Sequence, residues 1–289
     1  MNSYPYESFN ARNYTPAQVA ETFIPSSESS DLWKNEHSVV LGPRGSGKTT
    51  LFKMLTVQAL YSWNGLDAER LRTNRPFTAI YVPTDMHWHR QLKHAEEQLT
   101  KAPRFSLAAS RAAVTTNILL ATARTFQDRM ALEAKPSPES ESRLCSLLGQ
   151  QWRLPKAIPC IDVIVLALKA RIAAIRLTVN QAIFLNSTDE QLTDLPECYH
   201  LDYLAELDVA CTAFDTICCP RSTQKWAICL DELELAPEWL QNLAFSQQRS
   251  TEERFLIKLS TSPIPKALGL TEARPKQDFR LICIWNYSG

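Results

Sequence analysis

The stretch HSVVLGPRGSGKTTL, residues 37–51, is an apolar run, a glycine-bearing loop and the start of a helical pattern in immediate succession. Residues 42–49 match G-x-x-x-x-G-K-[ST], an arrangement whose chemistry dictates its letters. Gly42, Gly45 and Gly47 let the backbone fold tightly enough for successive N–H groups to point at one anion. The first turn of the following helix adds its partial positive charge. Lys48 would reach the β- and γ-phosphates of a nucleotide, Thr49 would ligate Mg²⁺, and Thr50 would contact the α-phosphate. Pro43, Arg44 and Ser46 complete the phosphate-binding set. By chance this pattern arises in roughly one chain of average composition and similar length in a hundred. Here the chain has only 7 glycines, and three of them fall inside the loop.

Outward from the loop, Leu51, Met54, Leu55 and Leu60 are spaced for one buried helical face, which Asn64-Gly65 ends. A strand follows at Phe77 to Val82, stopped by Pro83. Upstream, Thr15-Pro16 reads as an N-cap and N1 proline opening a short helix to about Thr22, with a second short helix around Asp31 to Asn35. About 140 residues then separate Val82 from the next convincing strand, and they read as helices at 107–134, 138–148, 161–184 and 201–218. A single crossover needs far fewer residues. Strand patterns return at Trp226 to Leu230, Phe255 to Leu259 and Phe279 to Trp285. The sequence therefore predicts a three-layer α/β fold with a mainly parallel sheet of about five strands. Its parts are an N-terminal extension with short helices (1–36), a nucleotide-binding core (37–84 with 223–289) and a large helical insertion (85–222).

A second chemical motif ends one of these strands: Trp226-Ala-Ile-Cys-Leu-Asp231-Glu232. Two acids after an apolar run lie at the C-terminal edge of the sheet, where ligands bind in open α/β folds. Asp231 would hold the Mg²⁺ hydration shell, and Glu232 would orient or deprotonate an attacking water. Glu234 is the reserve base. An acid beside the metal-binding aspartate favours a hydrolase over a kinase.

The remaining composition narrows the possibilities. With 31 basic and 31 acidic side chains the net charge is zero, which gives no global attraction to nucleic acid or anionic membranes. Arg111, Arg124 and Arg129 could form a local basic face. No run of 18 apolar residues occurs, and the first 25 residues lack the apolar core of a secretory signal, which predicts a soluble, cytoplasmic protein. The eight cysteines are scattered without a C-x-x-C pair and read as reduced core residues. His87, His89 and His94 have no acidic partner at i+4 and read as surface residues.

Four blocks, FNARNYTPAQVAETFIPS (9–26), HSVVLGPRGSGKTTLFKML (37–55), CLDELELAPEWL (229–240) and FLIKLSTSP (255–263), together cover about a fifth of the chain. They resemble bacterial origin-recognition-complex-like AAA ATPases. The resemblance implies ATP and Mg²⁺ as ligands and a polar γ-phosphate sensor after the fourth strand, Ser260 or Thr261; a strand-ending turn before Pro263 is the alternative reading. It implies an arginine acting in trans, Arg274 or else Arg249, and hence self-association or a partner protein. Phe23 and Ile24 become candidates for adenine contact. Relatives continue into a helical lid and often a winged helix. Because this sequence stops at Ser288-Gly289, it is either a fragment or takes its lid from the insertion or a partner chain. The function implied is an ATP-driven switch, in a DNA-related or phage-defence setting. The alternative is a nucleotide-sensing module with little hydrolysis that gates an effector.

Overall fold

A computed structural model describes residues 10–84, 86–155, 159–220, 224–249, 254–263 and 278–284, with all side chains there except those of Glu28 and residues 86–91. Contacts divide the chain into two units, Met1–Thr84 with Gln224–Gly289, and Asp85–Thr223.

The first unit is built on strands β1 (Ser38–Leu41), β2 (Phe77–Pro83), β3 (Lys225–Asp231), β4 (Phe255–Thr261) and β5 (Arg280–Cys283), all parallel, in the order β2-β3-β4-β1-β5. Their near-continuous apolar runs suit a sheet covered on both faces. Side chains alternate between the two faces with a period of two, and both faces of the inner strands are buried. Val40, Phe77, Ala79, Ala227, Cys229 and Leu256 form one core with Leu51, Phe52 and Leu55 of the helix that follows the glycine loop. Burial of a side chain the size of Val40, Phe52 or Leu55 stabilises the fold by about 1.5–3 kcal/mol. This is the P-loop NTPase fold the sequence predicts, with its five strands. The last strand is shorter than the pattern suggests, and Trp285 lies outside the described residues.

One predicted helix is in fact two. Helix α3 (Lys48–Met54) stops, and α4 (Val57–Ser62) restarts after Thr56. The Thr56 hydroxyl donates to the Lys53 carbonyl (2.7 Å) and accepts the Ala59 N–H (3.2 Å), so a side chain takes over the helical ladder. Leu60 is still buried, but in a separate cluster with Val19 and Ala20 of α1 (Pro16–Glu21). A further short helix, α5 (Ala68–Asn74), was not legible in the sequence. Thr15 caps α1 with a reciprocal bond to Gln18, as its position before Pro16 predicts. Helix α2 spans Ser27–Leu32, capped by Ser26 and starting earlier than expected.

The least ordinary core residue is Lys258, fully buried in β4. Its ammonium donates to the carbonyls of Lys34 (3.2 Å) and Glu36 (3.1 Å) and to the Ser38 hydroxyl (3.1 Å), which uses all three donors. It also lies 4.6 Å from the centre of the Phe77 ring. Burial pushes its pKa down to about 8. An unfolded lysine titrates near 10.4, so the native state gives up this proton first, and stability rises with pH between about 8 and 10. Wild type should therefore gain on Lys258→Met by up to roughly 3 kcal/mol across that window. Thermal melts of both proteins from pH 7.5 to 10 test this, and a pH-independent difference would count against it.

The second unit is helical: α6 (Met86–Gln98), α7 (Pro103–Arg129), α8 (Pro138–Gln151), α9 (Ile161–Phe184) and α10 (Tyr203–Cys218). Helix α7 begins at Pro103, ahead of the expected start, and runs into a π turn at Met130–Ala134. Phe126 stacks on Phe214 with ring centres 4.4 Å apart. Arg129 is buried and pairs with Glu133 (2.9 Å) and Asp215 (3.7 Å), so it does not serve the basic face considered above. The side chains of His87 and His89 lie outside the described residues. Among the described residues, no helix is long and apolar enough to cross a membrane.

Candidate nucleotide site

The glycine loop leaves the end of β1 while its first amide, from Gly42, still donates to the Thr261 carbonyl of β4 (3.3 Å). Gly45 and Gly47 adopt φ of +83° and +93°, torsions that disfavour any L side chain, and Gly47 caps α3. Gly42 is required for a different reason. A Cβ there would lie 2.3 Å from the Ser46 Oγ and 2.6 Å from the Ile284 Cγ1. The first amides of α3 have no carbonyl upstream in the helix to accept them. The Lys48 ammonium folds back on the loop, donating to the carbonyls of Gly42 (2.6 Å) and Pro43 (3.0 Å). Burial pushes its pKa down, while Glu234, Asp231 and Glu232 pull it up.

Residues 44–50 line a cleft of about 380 Å³, and its other walls are Asn10, Ala11, Arg12 and Glu232. Register explains why the acids arrive there. Strand β3 pairs with β2 and β4, and Asp231 lies beside Pro83 at the C-terminal edge. The order of the sheet places β4 between β1 and β3. Two strand spacings, about 10 Å, thus separate the phosphate loop's strand from the acids' strand. Asp231, Tyr81 and Ser260 fall on the face that α3 covers, by the same two-residue alternation as the core.

Asp231 is only 2% exposed and does not itself line the cleft. Its carboxylate accepts from the Tyr81 hydroxyl (3.0 Å) and the Ser260 hydroxyl. Burial first, and Asp231 next, hold the Tyr81 phenol well above its ordinary pKa, so it remains a donor. The Thr84 hydroxyl donates to the Asp231 carbonyl. Glu232 takes a left-handed backbone (φ 57°), with its N–H bound to the Ser260 Oγ (2.9 Å) and its carboxylate paired with Arg12. Burial raises the Glu232 pKa, and Arg12 opposes that shift.

The predicted residues thus divide. Lys48, Thr49, Thr50, Gly45, Gly47, Arg44, Ser46 and Glu232 share one cleft, with Asp231 and Ser260 bonded behind it. Glu234 accepts from Ser262 and influences Lys48. The Thr261 hydroxyl turns to the neighbouring Ser262 carbonyl (3.2 Å), so of the two sensor candidates Ser260 is the one bonded to Asp231. Arg249 is exposed at the end of α11 (Glu238–Gln247), and Arg274 lies outside the described residues. Phe23 packs edge-on against Trp63 at 5.6 Å, and Ile24 is 84% exposed; neither lines the cleft. Sequence reasoning missed Tyr81 and Arg12. Tyr81 had a signal, as the last residue of the α3-facing series Phe77, Ala79, Tyr81. Arg12 had none.

The residues fit a magnesium-bound triphosphate. The buried Ser46 Oγ has no hydrogen-bond partner, in a loop where Gly45 and Gly47 both adopt positive φ. Asp231 spends two of about four lone-pair directions on Tyr81 and Ser260, leaving the others for a metal's water shell. No curated protein and no solved structure matches the chain significantly. A family model described as ORC-CDC6-like, however, matches residues 4–288. With the strand order, glycine cradle and paired acids in agreement, the chain belongs to the ORC-CDC6-like family of AAA-type ATPases.

Proposed function

We propose that the chain binds Mg-ATP in this cleft and hydrolyses it, working as a nucleotide-driven switch. The observation that carries the reading is a single cleft lined by both the phosphate loop and Glu232, with Asp231 bonded behind them. In this reading the loop amides and Lys48 bind the phosphates. Thr49 and Asp231 would hold the Mg²⁺, which when bound offsets charge on the β- and γ-phosphate oxygens. Glu232 orients a water and accepts its proton as the oxygen attacks the γ-phosphorus and the bond to the β-phosphate oxygen breaks. Ser260 keeps Asp231 and the Glu232 backbone in register.

ATP is preferred to GTP because the sequence carries no guanine-reading motif. Arg249 or Arg274 would act in trans on a neighbouring copy or partner. A cytoplasmic place and a DNA-related or phage-defence role go with the family resemblance. One observation favours the second reading, a sensor with little turnover: Glu232 is held by Arg12 while Lys48 is held by its own loop. Equilibrium titration with Mg-ATP, followed by single-turnover phosphate release, tests both. Binding with release within minutes supports the switch, whereas binding without release over hours supports the sensor. Failure to bind defeats both.

A further inference from the structure

The N-terminal segment that walls the cleft is built to hold one side chain in place. Asn10 caps a 3₁₀ turn, Ala11–Asn13, through the Arg12 N–H (3.2 Å). The turn's backbone is clamped by Lys53, a buried lysine of α3, whose ammonium donates to the carbonyls of Ala11 (2.6 Å) and Tyr14 (2.7 Å). Lys48 and Lys53 therefore tie one short helix to the phosphate loop on one side and to the Arg12 turn on the other. The Arg12 guanidinium reaches Glu232 and lies in the cleft with its side chain 35% exposed.

We propose that Arg12 recognises the terminal phosphate of a nucleoside triphosphate in cis, and that its bond to Glu232 is the state it leaves when that phosphate arrives. This rests on the reading that the cleft takes Mg-ATP. Three carboxylates, Asp231, Glu232 and Glu234, act on Arg12, and Lys48 and Lys53 are further cations of the cluster. A γ-phosphate beside them adds charge and three acceptor oxygens to match the guanidinium's donors, of which Glu232 engages one group. Exchange of the Arg12 N–H from a carboxylate oxygen to a phosphate oxygen releases Glu232 towards water. A diphosphate lacks the group that drives the exchange, so Arg12 separates ATP from ADP.

Binding, not turnover, tests this. Wild type, Arg12→Ala, Arg12→Lys, Glu232→Gln and the double variant Arg12→Ala with Glu232→Gln are titrated with Mg-ADP and with the Mg complex of the β,γ-imido analogue of ATP. Arg12→Ala should weaken the triphosphate analogue about tenfold or more, the size of a charge-assisted hydrogen bond, and leave ADP unchanged. Arg12→Lys should recover part of the loss. Glu232→Gln removes the competitor and should tighten the triphosphate analogue, but only while Arg12 is present. Equal weakening of both nucleotides, or no weakening of either, overturns the assignment. If wild type binds neither nucleotide, the reading of the cleft itself fails.

Discussion

Lys48→Ala is expected to weaken Mg-ATP binding by at least a hundredfold and to leave the fold intact. The ammonium sits at the start of α3 and lines the cleft, where its present partners are the carbonyls of Gly42 and Pro43. Two charge-assisted contacts to phosphate oxygens are worth about 3–6 kcal/mol together, or two to four orders of magnitude in affinity. Stability should hardly suffer. Burial already disfavours the charged form of this lysine, so removing it relieves a desolvation cost as well as deleting two hydrogen bonds. Calorimetric titration with Mg-ATP, paired with a thermal melt, separates the effects. Unaltered affinity would remove Lys48 from the phosphate site.

Glu232→Gln carries the second large effect: hydrolysis should fall by about 10²–10⁴, the usual worth of a positioned general base, with ATP still bound. Glutamine keeps the shape and the left-handed backbone but can no longer accept water's proton. Burial strengthens the native carboxylate as a base by raising its pKa, and it stands in the same cleft as the phosphate loop. Rapid-quench measurement of phosphate release from pre-bound Mg-ATP isolates the chemical step. Undiminished release would pass the role to Glu234, which influences Lys48 and has a buried, unpartnered Oε2.

What the sequence disclosed depended on how local each signal was. The loop is a contiguous motif, and its glycine torsions follow from spacing alone. The acids were legible because an apolar strand ended on them. Thr56 hid the break between α3 and α4, since apolar spacing continues across it and only the hydroxyl's bonds reveal the restart. The place of Ser260 needed the strand order, because β4 has to lie between β1 and β3 before its tip can meet Asp231. Arg12 was beyond reach: it is placed by Lys53, far along the chain, and no periodicity links the two. Phe23 and Ile24 failed as cleft residues for the opposite reason, one being absorbed by Trp63 and the other left in solvent.

The position of β1 also has a consequence for biogenesis. Ser38 pairs with Lys258 on one side and Arg280 on the other, so the strand that launches the phosphate loop is synthesised long before either of its neighbours. Closing so distant a pairing is entropically slow. The nascent polypeptide therefore carries its glycine motif long before it has a sheet on which to display it.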